Sequence, residues 1–141
     1  MNGGKGSCAC GATKYTFSGD PVTSAICHCL DCRKLTASAF STAFLVPSTN
    51  FAFSEGSPVK TTTLKHHVEG MTLTPHFCGN CGSFICKTVD DDRFRGCHIV
   101  MAGTLDAEND HVAKPEMELW TKYRLDWVKP LDGVRQCVGF E

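Results

Sequence analysis

The close spacing of the cysteines is the feature that most constrains this chain. Seven of its ten cysteines lie in three short motifs: Cys8 and Cys10, Cys27, Cys29 and Cys32, and Cys78 and Cys81. Cysteines this close in sequence rarely bond to one another without strain, whereas they readily chelate one metal ion. The spacing therefore predicts metal binding, with zinc as the ion, in preference to a framework of disulfides.

The rest of the sequence is typical of a soluble intracellular protein. The N-terminal stretch "MNGGKGSCAC" has no apolar core of a signal peptide, and no apolar run reaches the roughly 20 residues that span a bilayer. The formal net charge of −1 gives no general attraction to nucleic acid or to an anionic membrane. We therefore expect a cytoplasmic location, in which cysteines stay reduced, and neither a nucleic-acid nor a membrane partner.

The pattern of short apolar segments predicts a mainly β fold. Segments such as "STAFLV", "SFICKTV" and "CHIVMAG" have strand length, are rich in β-branched and aromatic residues, and are separated by turn motifs such as "SEGSP" and "PLDG". A chain of 141 residues is most simply one domain. We expect a single domain over residues 1–141, built from antiparallel hairpins with one short helix that begins at Leu30.

The two cysteine pairs predict a closed structural site. "CGNCG" has the form of a zinc knuckle between two strands, and "SCACG" precedes another strand. Two pairs that meet at hairpin tips supply the four thiolates of a tetrahedral zinc site. The predicted ligands are Cys8, Cys10, Cys78 and Cys81.

The three-cysteine motif leaves three possibilities open, because Cys27, Cys29 and Cys32 lack a partner motif. Another cysteine or a histidine completes a second structural site, one of the three thiols is not a ligand, or the fourth position stays open for water or substrate. Arg33 and Lys34 follow directly and would offset the negative charge of three thiolates if they face the metal. The alternative for both is a solvated surface position.

Five motifs occur in an order that resembles one known family. They are "SCACG", "CHCLDCRK", "FCGNCGS", "AGTLD" and "ELWTKYRLDWV", and they extend from Ser7 to Val128. Together they resemble the glutathione-dependent formaldehyde-activating enzymes. The resemblance implies a small fold of the β-tent type with two zinc ions. By motif, the two pairs would form the structural site, and Cys27, Cys29 and Cys32 would form a catalytic site open to thiol.

The resemblance also implies a reaction class. Members of that family act as carbon–sulfur lyases that join glutathione and formaldehyde as S-hydroxymethylglutathione, or catalyse the reverse. The implied partners are glutathione or another small thiol and a small aldehyde, with Arg33 and Lys34 as candidate substrate-binding residues. Two alternatives remain: a larger metabolite in the same pocket, or a non-catalytic interaction module stabilised by zinc.

Other residues carry weaker expectations. We expect the ring of His28 to turn away from the metal, although it is a candidate ligand. Alternation in a strand places at least one of His66 and His67 towards solvent. Trp120 and Trp127 are expected to contribute apolar area to the core, with the wall of a substrate cleft as the alternative for one of them.

Overall fold

The computed structural model describes residues 3–141, which form a mainly β structure. Within them lie twelve strands, one α-helix and four short 3-10 helices. The strands and the α-helix are, in chain order, β1 (Gly4–Ser7), β2 (Lys14–Phe17), β3 (Thr23–Cys27), α1 (Leu30–Thr36), β4 (Ser41–Pro47), β5 (Phe51–Phe53), β6 (Val59–Thr61), β7 (Leu64–Lys65), β8 (Thr72–Cys78), β9 (Phe84–Val89), β10 (Cys97–Met101), β11 (Met117–Leu119) and β12 (Arg135–Gln136). The 3-10 helices cover Ser48–Asn50, Ala102–Thr104, Ala107–Ala113 and Thr121–Tyr123.

The strands form two sheets. The smaller has the order β1-β2-β5, and the larger has the order β12-β11-β3-β4-β10-β9-β8-β6, with β7 paired to β8. The prediction of a mainly β fold is confirmed. Most pairs are antiparallel, but β11 runs parallel to both β3 and β12, which hairpins alone would not produce. This pairing brings the C-terminal part of the chain beside the strand that carries Cys27.

The central strands of the large sheet bury both faces, and each face has its own core. On one face Phe44 and Val100 join the aromatic side chains of the small sheet. On the other face Ala43 and Ile99 belong to a second apolar cluster. Ile99 on β10 lies directly opposite Lys87 on β9, and directly opposite residues have their side chains on the same face of a sheet. The Lys87 side chain therefore lies on the second face.

Helix α1 begins within the three-cysteine motif. Cys29 is its N-cap residue, and its sulfur accepts a hydrogen bond from the backbone N–H of Cys32. The helix ends when Ala37 adopts a left-handed conformation with φ of 53°, and the Ala37 N–H bonds back to the last turn. Within the part of the chain that is described, no helix combines the length and the apolar composition that a membrane crossing requires.

The two tryptophans have different environments. Trp120 is buried in a cluster with Cys29 and Cys32. Trp127 is 73% exposed, so the prediction that it contributes to the core is wrong. It lies in a turn closed by the bond from the Val128 N–H to the Leu125 carbonyl, outside any strand, where neither sheet can cover its ring.

Candidate metal centres and active site

The four paired cysteines meet between two hairpins. Cys8 and Cys10 lie in the connection from β1 to β2, whereas Cys78 ends β8 and Cys81 lies in the turn towards β9. Their four sulfur atoms all lie within 4.8 Å of one another. Four thiols at this separation match the ligand set of a closed tetrahedral zinc site. A metal held there would connect the small sheet to the large one.

Hydrogen-bond donors from the hairpin turns point at the sulfur atoms of this cluster. The Thr13 N–H donates to the sulfur of Cys8 at 3.2 Å, and the Asn80 N–H donates to that of Cys78 at 3.4 Å. The Asn80 side-chain amide donates to the sulfur of Cys10 at 3.3 Å. Such donors orient metal ligands and spread the charge of a thiolate. The residues present therefore fit a metal ion that prefers thiolate ligands.

The other three cysteines form a separate cluster at the junction of a strand and a helix. Cys27 ends β3, Cys29 caps α1, and Cys32 lies in its first turn, so that three sulfur atoms lie within 4.8 Å of one another. Cys29 and Cys32 are almost fully buried, and Cys27 is half-buried. This donor set fits a zinc ion with three protein ligands and a position left over.

A small cavity ends at these three thiols. It has a volume of about 50 Å³, and most of its lining is apolar, including Ala43, Leu45, Leu73, Val89, Ile99 and Phe140. The polar groups that line it are the three thiols, Ser41, His66 and Lys87. An apolar wall with a few polar groups at one end is typical of a binding site for a small molecule.

Lys87 is the charged residue of this cavity, and its contact with the thiols explains its burial. Its side-chain nitrogen donates to the sulfur of Cys32 at 3.6 Å, and only 8% of the residue is exposed. Burial alone would lower the pKa of Lys87, but the neighbouring thiolates outweigh it and hold the pKa above its ordinary value. Hydrogen bonds from Cys27 and Cys29, aided by the charge of Lys87, hold the pKa of Cys32 well below its ordinary value. A positive charge at this place would offset the excess negative charge of three thiolates on a bound metal.

Lys87 lies in no recognisable motif, although a local signal for it exists. Lys87 interrupts the buried strand "FICKTV", in which a charged residue at a core-facing position requires a partner. The residues that the sequence singled out, Arg33 and Lys34, lie on α1, where Arg33 is half-buried and Lys34 is exposed. Neither belongs to the described lining of the cavity. Their role in substrate binding stays a prediction.

His66 is a second polar residue of the cavity that has no motif. The residue is 4% exposed, and its Nε2 atom has no hydrogen-bond partner among residues 3–141. Burial, together with the nearby His67, holds the pKa of His66 below its ordinary value. A ring nitrogen of His66 lies within 4.8 Å of the Cys29 sulfur, in a group that also contains Asp31 and His67. The outward position expected for one of the two histidines is that of His67, which is exposed.

His28, between two of the clustered cysteines, is held by a buried carboxylate. Its Nε2 atom lies 2.7 Å from Oε1 of Glu118, and both side chains are almost fully buried. Its backbone N–H bonds to the Leu119 carbonyl, so both the ring and the main chain are tied to β11. The ring thus turns to a carboxylate instead of joining the three sulfurs, in agreement with the sequence prediction.

Glu118 is satisfied from several sides. It accepts hydrogen bonds from the Leu131 N–H at 2.9 Å and from the Gln136 side chain at 2.8 Å, and Arg124 lies 3.3 Å away. Burial raises the pKa of Glu118, but these donors and His28 together lower it to about 2. The carboxylate therefore stays charged at neutral pH and fixes the segment that carries Cys27 and Cys29.

Comparison with known proteins agrees with this geometry. The sequence profile of a family described as glutathione-dependent formaldehyde-activating enzyme matches residues 4–123 of the chain. A search of curated proteins found no significant match. The matched region contains both cysteine clusters, Lys87, His66 and Glu118, and it covers most of the chain. The chain belongs to the family of glutathione-dependent formaldehyde-activating enzymes.

Proposed function

We propose that this protein binds the thiol of glutathione at the cluster of Cys27, Cys29 and Cys32 and adds it to a small aldehyde such as formaldehyde. The reverse cleavage uses the same groups, so the enzyme is a carbon–sulfur lyase. Three clustered thiols at the end of a small apolar cavity carry this proposal. Family membership supports glutathione and formaldehyde as the reactants.

A zinc ion at each cysteine cluster completes the proposal. The closed cluster of four thiols offers a structural site, and the cluster of three leaves one position for the sulfur of the substrate. Zinc at the second cluster would supply an acidic centre that lowers the pKa of an incoming thiol. A sulfur ligand is the natural fourth partner for zinc that is already bound by sulfur.

The residues around the three thiols prepare the site for this chemistry. Lys87 balances the charge of the thiolates, and the contact between His28 and Glu118 fixes the segment that carries two of them. The apolar wall excludes water from the reacting atoms and strengthens the electrostatic contacts inside. Bringing the thiol and the aldehyde together at the three-thiol cluster gives the entropic advantage of proximity.

The size of the cavity supports a small aldehyde over a larger metabolite. Its volume of about 50 Å³ is about one third of the roughly 150 Å³ of an apolar cavity that binds benzene. On that scale it accepts about two non-hydrogen atoms, which is the size of formaldehyde. A larger aldehyde, epoxide or quinone would require the wall to move. The cavity therefore favours the small aldehyde.

The experiment is a measurement of exchange between free glutathione and its formaldehyde adduct by NMR. The zinc-loaded protein, added to a pre-equilibrated mixture, should accelerate exchange, and the Cys29→Ser variant should not. Binding of glutathione without acceleration would instead favour an enzyme for a larger metabolite. Neither binding nor acceleration would leave the non-catalytic interaction module.

A further inference from the structure

We infer that the Nε2–H group of His66 donates a hydrogen bond to the carbonyl oxygen of the aldehyde while the thiol adds to its carbon. This inference rests on the proposed function, because it assigns a role in that reaction. It also names a donor for the oxygen on which negative charge develops. Three features of His66 support it: the tautomer of the ring, the contacts that hold the ring, and its place beside Cys29.

The hydrogen bonds of the ring fix its tautomer. The Nδ1 atom of His66 accepts from the backbone N–H of Val68 at 3.3 Å and from that of Glu69 at 3.0 Å. A nitrogen that accepts two N–H groups carries no proton itself, so the proton of the neutral ring lies on Nε2. Nε2 is therefore a hydrogen-bond donor and offers no lone pair to a metal.

The ring is also held rigidly. The backbone of His66 is bonded at both ends of its turn, since its N–H donates to the Met71 carbonyl and its carbonyl accepts from the Gly70 N–H. The ring packs between Trp120 and Phe140, with ring centroids 5.2 and 5.4 Å away. A donor fixed in this way needs no reorganisation when charge develops next to it.

The ring of His66 lies beside the thiols at the cavity, and its Nε2–H is unpaired within residues 3–141. His66 lines the cavity and is 4% exposed, yet Nε2 has no partner among the described residues. An unpaired buried donor costs free energy, which a ligand oxygen would recover. Of the three thiols, that of Cys29 lies within 4.8 Å of a ring nitrogen of His66, so His66 lies to one side of the three-thiol cluster. A carbonyl carbon next to a sulfur bound there can place its oxygen towards His66.

The chemistry balances without proton transfer from the ring. The sulfur forms a bond to the carbonyl carbon, and the carbon–oxygen double bond loses its π pair to the oxygen. That oxygen takes up one proton from water, which replaces the proton that the thiol released on binding. The His66 N–H contributes a hydrogen bond to the developing alkoxide and keeps its own proton. Removal of one such donor costs about 100-fold to 1,000-fold in turnover in other enzymes.

The tautomer is tested on the wild-type protein by NMR of histidine labelled with ¹⁵N. We expect Nε2 of His66 to carry the proton before and after zinc loading, and its resonance to shift when glutathione and formaldehyde are added together. A zinc-bound or unprotonated Nε2 would overturn the inference. So would an Nε2–H resonance that moves on zinc loading but not on addition of the reactants, because the donor would then belong to Cys29.

Two variants and one control test the role in turnover. His66→Phe keeps the packing against Trp120 and Phe140 but has no donor, and we expect its exchange rate at saturating glutathione to fall by about 100-fold or more. His66→Gln offers a side-chain amide and should recover part of that loss. His111→Phe, at an exposed histidine of the 3-10 helix Ala107–Ala113, is the control and should keep the wild-type rate. Glutathione affinity and zinc content should be unchanged in all three.

The outcomes separate the inference from the proposed function. A wild-type protein that does not accelerate exchange overturns both. An active wild type with an equally active His66→Phe variant overturns the role of His66 alone. A loss in His66→Phe that comes with lost zinc or lost glutathione binding would also overturn it, because His66 would then be a ligand or a structural support.

Discussion

The side-chain nitrogen of Lys87 lies 3.6 Å from the sulfur of Cys32, and both side chains are buried. A buried ammonium group is costly unless it is paired, and a cluster of three thiolates is costly unless its charge is offset. The ammonium group and the thiolates thus each offset the cost of burying the charge of the other. The contact connects a β9 residue to the first turn of α1, between chain segments far apart in sequence.

Substitution of Lys87 should weaken metal binding at the three-cysteine cluster. Lys87→Met keeps the length of the side chain but removes the charge, so zinc affinity there should fall about 10-fold to 100-fold. Competition with a chromophoric chelator measures the affinity. Lys14→Met, at an exposed lysine of β2, is the matched control and should leave the affinity unchanged. Equal affinities in Lys87→Met and the wild type would show that the charge is not needed.

The two cysteine clusters should respond differently to serine. Cys81→Ser removes a ligand of the site that connects two hairpins, and folding should suffer by several kcal/mol because structural zinc binding is part of the folding free energy. Cys29→Ser should abolish activity but leave the protein folded, since serine is itself a favoured N-cap for α1. Urea unfolding of the zinc-loaded proteins measures both. If burial alone determined stability, Cys29→Ser would be the more destabilising change, because Cys29 is buried and Cys81 is exposed. A less stable Cys29→Ser variant would therefore contradict the assignment.

The two metals should leave at different rates. In the proposed function the four-thiol site is closed, whereas the three-thiol site has a position that a chelator can attack. Treatment of the zinc-loaded protein with a mild chelator should therefore remove one ion before the other, and glutathione should slow the loss of the first. The measurement is zinc release over time. Release of both ions in one phase, or a content of one ion per chain, would argue against two distinct sites.

Glu118 should stabilise the fold, and this contribution should be lost as the pH falls into the acid range. Its pKa is lowered from 4.5 to about 2, so its contribution is fully present above pH 4.5 and is lost as the pH falls towards 2. The shift corresponds to roughly 3 kcal/mol. Glu118→Gln should therefore be less stable than the wild type at pH 7, and the difference should shrink below pH 4.5. Urea unfolding at several pH values checks this. A difference that is constant down to pH 3 would mean that the charge of Glu118 is not what stabilises the fold.

The cysteine clusters could be located in the sequence because their geometry is local. Cys27, Cys29 and Cys32 follow one another through a strand, a cap and a helical turn, and the two paired motifs each lie at a hairpin. Ligands this close in sequence also lie close together in space, however the rest of the chain is folded. The mainly β fold could be predicted for the same reason, since alternation and turn residues act over a few positions.

The residues around the thiols depend on strand pairing that the sequence does not display. Lys87 reaches the cavity because it pairs with Ile99 across β9 and β10. Glu118 reaches His28 because β11 runs parallel to β3, with Glu118 opposite Ile26. His66 depends on the turn that returns the chain from β7 to β8. The end of α1 at Ala37 also lacked a signal, because alanine in a left-handed conformation replaces the usual glycine.

In the proposed function, the substrate thiol supplies the missing fourth ligand of the three-cysteine cluster. The most direct test is the visible spectrum of the cobalt-substituted protein during titration with glutathione, with Cys29→Ser as the control. We expect glutathione to change the cobalt bands of the wild type in a saturable way, with release of one proton per site, and to leave those of Cys29→Ser unchanged. Cobalt bands that do not respond to glutathione in the wild type would contradict the claim.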